Sequence, residues 1–150
     1  MPSYSFKDTV AAIDGPGGNI NLADGAGVAA EGITITPTGD KSTMTIGADG
    51  AGMHNLSADD SVSVTVRLMK TSPNNALLMA MYNLQTLSSV THGKNNITVR
   101  DIARGDFHSL EQAAFKRKPE ITYAVEGGTV EWQFDAIVGT SILGFGSPEL

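Results

Sequence analysis

The chain has 150 residues and a formal net charge of −6 at pH 7; 41% of its residues are hydrophobic and 17% are charged. This length and composition predict one ordered domain, spanning residues 1–150, and argue against intrinsic disorder. The absence of cysteine excludes disulfides, thiolate nucleophiles and cysteine-ligated zinc, and the acidic charge disfavours tight binding to nucleic acid.

Alternation of apolar and polar residues predicts a mainly β fold, because it places one side of each strand in a core. The segments with this pattern are, in chain order, residues 6–13, 32–36, 43–46, 61–69, 96–101, 108–116 and 129–137. Clusters of glycine, asparagine, aspartate or proline separate these segments and indicate turns between strands.

The two clearest strand candidates are residues 61–69 and 129–137, which alternate over their whole length. Each predicts a strand with one buried face and one polar face. The polar face of the first carries Ser61, Ser63, Thr65 and Arg67, and that of the second carries Thr129, Glu131, Gln133 and Asp135.

Residues 47–60 are predicted to form a long loop between two strands. Gly47, Gly50 and Gly52 favour irregular backbone there, and the segment is too long for a tight hairpin turn. It also carries the apolar residues Met53 and Leu56. Long loops in a compact domain are commonly functional, so the segment is a candidate contact surface.

One segment has a helical period instead. Ser72 is a suitable N-cap and Pro73 suits a first helical turn. Apolar residues then recur at helical spacing, namely Leu77, Ala80, Met81, Leu84 and Leu87. These features predict one α-helix over about residues 73–87, with this apolar stripe packed on a sheet.

No sequence motif supports an enzyme. Residues 25–30, GAGVAA, match a dinucleotide-binding fingerprint in letters, but a β-like segment follows where that motif needs a helix. His54, His92 and His108 lack the spacing of a metal site. We therefore expect no catalytic, cofactor-binding or metal-binding residue and no enzymatic activity.

Two further features of the sequence concern the location of the protein and its contacts with neighbouring subunits. The first seven residues, MPSYSFK, lack a basic segment followed by an apolar run, and no stretch approaches about 18 apolar residues, so neither secretion nor a membrane anchor is expected. The basic run at residues 116–118 is interpreted as a solvated loop, or alternatively as a partner for an acidic neighbouring subunit.

Several segments of the sequence resemble a known protein family. They include residues 43–50 (TMTIGADG), 64–76 (VTVRLMKTSPNNA), 97–101 (ITVRD) and 130–136 (VEWQFDA). In this order they resemble the tail tube-like structural protein family of contractile-tailed bacteriophages. The resemblance extends from about residue 4 to residue 136 and identifies no active residue.

The resemblance implies a mainly β tail-tube fold, a β-sandwich or partial barrel with one flanking helix. It implies a homohexameric ring, and rings stacked into a tube that conducts DNA during ejection. The implied partners are a sheath protein outside, a tape measure protein and double-stranded DNA in the lumen without sequence-specific binding, and baseplate and tail terminator proteins at the ends. The implied location is the virion tail, after assembly in the host cytoplasm.

Within such a tube, polar strand faces are the natural lining of the lumen. The candidate lumen-facing residues are therefore Ser61, Ser63, Thr65, Glu131, Gln133 and Asp135. The loop at residues 47–60 would reach the adjacent ring, with Met53 and Leu56 as candidate ring-stacking residues.

Two alternative functions stay open at this point. A subunit of a related contractile injection or secretion tube would share the fold and the ring symmetry. A tail-tip β-sandwich that binds sugars belongs to another class, but such sites place aromatic residues on exposed loops, whereas Trp132, Phe134, Phe6 and Tyr82 lie in periodic segments that predict core positions.

Overall fold

The computed structural model describes residues 9–24 and 32–144. Within these ranges the chain forms nine β-strands and one α-helix. The elements are β1 (Thr9–Gly15), β2 (Gly18–Asp24), β3 (Gly32–Pro37), β4 (Ser42–Ile46), β5 (Gly52–Leu56), β6 (Val62–Met69), α1 (Asn74–Gln85), β7 (Asn95–Asp101), β8 (Asp106–Phe115) and β9 (Thr129–Ile142).

Seven of the strands form one sheet in the order β2-β1-β7-β8-β9-β6-β3, and every neighbouring pair is antiparallel. The sheet curls into a half-barrel, with β2 and β3 as its two edges in the described part of the chain. Strands β4 and β5 pair with each other in a separate two-stranded sheet. The prediction of a mainly β fold with a partial barrel and one helix is confirmed.

The core lies on one face of the large sheet, as the alternating pattern predicts. On β6, Val64, Val66 and Leu68 are fully buried. An aromatic cluster centres on Phe115 of β8, whose ring centroid lies 6.0 Å from that of Trp132 and 4.8 Å from that of Phe134. Tilted and edge-on aromatic pairs of this kind stabilise a core beyond the area they bury.

The helix packs on this core with a face that the sequence pattern did not predict. Its buried residues are Asn74, Leu78, Met81 and Gln85. Of the predicted apolar stripe only Met81 is buried; Leu77 and Leu87 are 53% and 81% exposed. The predicted stripe is therefore wrong, because two amides occupy the buried face: Asn74 Nδ2 donates to the backbone oxygen of Asn21 on β2 at 2.7 Å, and Gln85 pairs with β7.

Gln85 and Asn95 form a buried amide pair that ties the helix to β7. Gln85 Nε2 donates to Asn95 Oδ1 at 2.7 Å, and Asn95 Nδ2 donates to Gln85 Oε1 at 2.7 Å. Gln85 Nε2 also donates to the Pro16 carbonyl at 2.8 Å. Both side chains are fully buried, and their amide groups satisfy each other, which avoids the cost of burying unpaired polar groups.

Gly15 makes room for this amide pair, and replacing it by alanine should destabilise the fold. A Cβ at position 15 would lie 2.0 Å from Asn95 Oδ1 and 3.1 Å from Asn95 Cα, so Asn95 would have to move and release Gln85. We expect Gly15→Ala to lower the free energy of unfolding by about 1–3 kcal/mol, the cost of unsatisfied buried amides. Urea denaturation measures the change.

Gly128→Ala is the matched control, because nothing lies within 4 Å of a Cβ at that position. It should change the free energy of unfolding by less than about 0.5 kcal/mol. Equal effects of the two substitutions would contradict the role assigned to Gly15.

Two strands were not predicted from the sequence. Strand β2 follows the predicted glycine-rich turn, where Gly17 has a φ of 106°. Strand β5 falls inside residues 47–60, so the prediction of one long loop there is wrong. The residues between β4 and β5 instead form a hairpin turn in which the Gly47 amide donates to the Ala51 carbonyl at 2.8 Å. Within residues 9–24 and 32–144, no helix has the length and apolar character needed to cross a membrane.

Two sequence predictions fall outside the described residues. The fingerprint-like segment at residues 25–30 is one of them. The other is the first part of the strand predicted over residues 6–13, of which residues 9–13 lie in β1.

Candidate lumen face and assembly surfaces

The polar sides of β6 and β9 lie next to each other on the face of the sheet opposite the core. The antiparallel register pairs Ser63 with Asp135 and Thr65 with Gln133. Ser63 Oγ donates a hydrogen bond to Asp135 Oδ1 at 2.8 Å. Four of the six candidate lumen residues are thus direct cross-strand neighbours. The sequence alone could not establish this, because it does not show which strands are adjacent.

Glu131, the fifth candidate, lies on the same face, and its partner is Arg67, which is on the predicted polar face but not among the candidate lumen residues. It pairs across the strands with Arg67, whose Nε lies 3.5 Å from Glu131 Oε2. Arg67 Nη1 also donates to Thr34 Oγ1 of β3 at 3.3 Å. Both charged side chains are more than one third exposed, so this ion pair contributes little to stability. Its effect is to neutralise one acidic charge on this face.

Ser61, the sixth candidate, is positioned differently because it precedes β6. Its carbonyl accepts a hydrogen bond from Thr38 Oγ1 at 2.9 Å, and its hydroxyl contacts that of Thr38. Its backbone amide donates to Asp59 Oδ1 at 2.9 Å. Hydrogen bonds from the Ser61 side chain and backbone lower the pKa of the Asp59 carboxyl. Ser61 therefore organises the turn that leads into β6.

The face formed by β6 and β9, with Thr34 beside them on β3, is called the polar face below. Apart from the Arg67–Glu131 pair, its one charged residue among those named is Asp135. The candidate residues thus form a surface of hydroxyl, amide and carboxylate groups with little excess charge. Their role in a lumen stays a prediction.

The β4–β5 hairpin carries the two candidate stacking residues on opposite sides. Leu56 pairs with Ser42, and Met53 pairs with Thr45. Side chains alternate between the two sides of a strand, so Leu56 and Met53, three residues apart, face opposite ways. Met44 and Ile46 share the side of Leu56; the three side chains are 63%, 55% and 81% exposed, in the order Met44, Ile46, Leu56. We call these three the hairpin apolar side. Met53 lies among threonines on the other side.

The open side of the half-barrel contains a cavity of about 320 Å³ next to the β3 edge. Ile33 and Ile35 of β3 and Val99 of β7 form its apolar wall, with His108 and Asp101 among its polar residues. Ile33 and Ile35 are half-buried and pack against the core. The core is thus less completely covered here than under the helix.

These features place the chain in the tail-tube fold class: a curled, mainly antiparallel half-barrel with one flanking helix. In fold it is similar to a solved structure described as the anti-feeding prophage cap, a tube terminating cap. The TM-score is 0.62 at 9% sequence identity, over 96% of this chain and 93% of that chain. No curated protein matches the chain in sequence.

The family is shown by the sequence itself. Residues 1–144 match the family described as bacteriophage PhiTE tail tube protein. The chain belongs to this family, which confirms the resemblance found in its sequence phrases. It is a tail tube structural protein of a bacteriophage, and its location is the virion.

Proposed function

We propose that the chain forms hexameric rings that stack into a tube, and that the tube conducts double-stranded DNA into the host during ejection from a contractile tail. The observation that carries the proposal is the family match over residues 1–144. On this proposal the chain is a structural subunit without enzymatic activity. It assembles in the host cytoplasm around a tape measure protein and inside a sheath, with baseplate and tail terminator proteins at the tube ends.

Two geometric observations support this proposal. In the described part of the chain each half-barrel has two strand edges, β2 and β3, and pairing of an edge with a strand-like segment of the next subunit would close a ring while protecting that edge from aggregation. The polar face would line the lumen, because a surface with few positive charges does not hold phosphate groups and lets DNA slide.

The purified protein tests this proposal directly. We expect light scattering on a size-exclusion column to give the mass of a hexamer, and electron microscopy to show tubes at high protein concentration. A species that stays monomeric at every concentration, without tubes, would refute the proposal.

A second candidate function comes from the structural similarity to a tube-terminating cap. As a cap, or as a subunit of a related injection or secretion tube, the chain would share the ring but differ in what it stacks on. A cap should form single rings that do not polymerise at any concentration and that bind only to the end of a preformed tube. Electron microscopy of the same preparation therefore separates a cap from a tube subunit.

Positive charges on the polar face should make the tube bind DNA. Thr65 and Gln133 are cross-strand neighbours in the centre of this face. We expect Thr65→Lys/Gln133→Lys tubes to retain double-stranded DNA in a filter-binding assay. Retention should fall steeply as salt rises, since phosphate contacts release counterions. Wild-type tubes should retain little DNA at any salt concentration.

The control places one lysine on the exposed surface of the helix and one in the turn that follows it, as Leu77→Lys/Leu87→Lys. These variants carry the same added charge outside the proposed lumen. If both double variants retain DNA equally, the polar face does not line the channel.

A further inference from the structure

The connection between β8 and β9 contains a strand-like segment that is paired with no strand in the described part of the chain. Residues 120–126, EITYAVE, alternate apolar Ile121, Tyr123 and Val125 with more polar or smaller residues. Isoleucine, tyrosine and valine are among the residues that favour strands. In the described structure this segment is nevertheless neither strand nor helix, and no backbone–backbone hydrogen bond involves residues 117–127.

The apolar side of this segment faces solvent. Ile121 is 42% exposed, Tyr123 is 86% exposed and Val125 is fully exposed. The connection is held through Lys70, whose Nζ donates to the Thr122 carbonyl and lies 3.8 Å from the centre of the Tyr123 ring. Three apolar residues in an alternating, exposed and unpaired row are an unfavourable arrangement for an isolated subunit.

The β3 edge has the complementary pattern. In the described part of the chain, β3 pairs with β6 on one side only. Its Ile33 and Ile35 border the cavity of about 320 Å³, while Thr34 lies on the polar face. A strand added to this edge would form hydrogen bonds with the outward-facing backbone groups of β3. It would also place every second side chain over the cavity.

The β2 edge does not offer the same space. Its apolar residues Ile20 and Leu22 are 6% and 0% exposed, because the helix packs over this part of the sheet. An added strand would find no uncovered apolar surface there. The β3 edge is therefore the better acceptor.

We propose that residues 120–126 form a β-strand along the β3 edge of a neighbouring copy of the chain. Ile121, Tyr123 and Val125 would then cover the cavity beside Ile33 and Ile35. The proposal rests on the proposed function, in which copies of the chain surround one another in a ring.

The geometry of the chain favours a neighbouring copy over its own β3. Gly32, the first residue of β3, pairs with Arg67. Lys70, which contacts residues 122 and 123, lies three residues beyond Arg67 in the chain, or about 10 Å at the rise of a strand. The segment is thus anchored beyond the end of its own β3. A contact between two different surfaces is also the kind that closes a ring.

Disulfide trapping between separate molecules tests this pairing, and the cysteine-free sequence gives a clean background. An Ile35→Cys variant is mixed in turn with Ile121→Cys, Tyr123→Cys and Val125→Cys, allowed to assemble, and oxidised. Residues opposite each other on adjacent strands come within disulfide range. We expect at least one mixture to give a crosslinked dimer on a non-reducing gel, because each pair of cysteines lies on different molecules.

Controls use cysteines elsewhere on the surface. Leu87→Cys, at an exposed position in the turn after the helix, should not crosslink to Ile35→Cys. Crosslinking of the segment to Asn21→Cys on β2, or no crosslink in any mixture that forms normal tubes, would overturn the inference while leaving the proposed function intact. Failure of the wild-type protein to assemble would overturn the proposed function and this inference with it.

A proline substitution provides a second test that does not depend on disulfide geometry. Ala124 is exposed and lies in the unpaired segment, so Ala124→Pro should leave the melting temperature of the free subunit unchanged. Proline removes a backbone donor from a strand, and we expect at least a tenfold higher protein concentration for half-maximal ring formation. Unchanged ring formation would overturn the inference.

Discussion

Rings that remain intact but no longer form tubes are the expected result of placing two charges on the hairpin apolar side. Ile46 and Leu56 are more than half exposed in the subunit and lie on the same side of the β4–β5 hairpin. If this side contacts the adjacent ring, the variant Ile46→Asp/Leu56→Asp buries two carboxylates in an apolar contact. Burial of unpaired charge costs several kcal/mol per contact, and the six contacts of the proposed hexameric ring would multiply this cost. Electron microscopy and sedimentation measure the loss of tubes.

The hairpin provides its own control, because Met53 lies on the opposite side. Met53→Asp should leave tube formation within about twofold of the wild type if only the hairpin apolar side docks. If Met53→Asp alone abolishes tubes, the stacking contact includes both sides of the hairpin. Normal tubes from Ile46→Asp/Leu56→Asp would show that another surface carries the stacking.

Replacing Trp132 by alanine should cause the largest loss of subunit stability. The side chain is 1% exposed, and its ring packs against Phe115 in the aromatic cluster. Its Nε1 also donates to Asn75 Oδ1 at 3.0 Å, at the start of the helix. Loss of a buried tryptophan costs about 3–5 kcal/mol. Chemical denaturation of the free subunit should show this decrease as a lower midpoint at an unchanged slope.

A second substitution separates packing from hydrogen bonding at this position. Trp132→Phe keeps an aromatic ring but removes the donor to Asn75, so it should cost less than the alanine variant, about 1–2 kcal/mol. Combining it with Asn75→Ala should add little further loss from this hydrogen bond, because both substitutions remove the same one. Full additivity would indicate that the bond does not contribute. Asn75 Nδ2 also donates to the Met69 carbonyl at 2.8 Å, so Asn75→Ala alone has a cost of its own.

Strands with complete alternation could be predicted from the sequence to within a few residues. Strand β6 was predicted over residues 61–69 and lies at Val62–Met69. Strand β9 was predicted over residues 129–137 but extends to Ile142. The extension has no regular alternation, and its last residues pair with β8, which a single-strand pattern does not reveal. Pairing partners therefore decide strand ends that periodicity leaves open.

Two of the errors have a common physical cause, which is the role of asparagine and glutamine side chains. Asparagine favours turns, so β2, in which Asn19 and Asn21 alternate with buried apolar residues, was missed. The apolar pattern of the helix predicts buried leucines. The amides of Asn74 and Gln85 are buried instead, because they donate hydrogen bonds to the Asn21 carbonyl of β2 and to Asn95 Oδ1. Those acceptors are distant in sequence, so the pattern within the helix could not indicate them.

The candidate site was predictable in its composition but not in its arrangement. The alternating pattern placed Glu131 and Asp135 on a polar side, and the sheet order then placed them beside β6. The pattern also placed Arg67 on this side with Ser63 and Thr65, but not among the candidate lumen residues. The ion pair between Arg67 and Glu131 depends on these two residues being opposite each other on adjacent strands. That pairing is known only from the strand register.

The exposed β4–β5 hairpin has a consequence for how fast a tube can start to grow. All ten of its strand residues are exposed, and a lone two-stranded hairpin is only marginally stable in water. A free subunit must therefore keep this arm ordered without help, whereas a ring already in place would supply a surface that holds it. Elongation on an existing end should then be faster than initiation in solution. Such a difference produces a lag phase that preformed ends remove, and it confines growth to sites where a template is present.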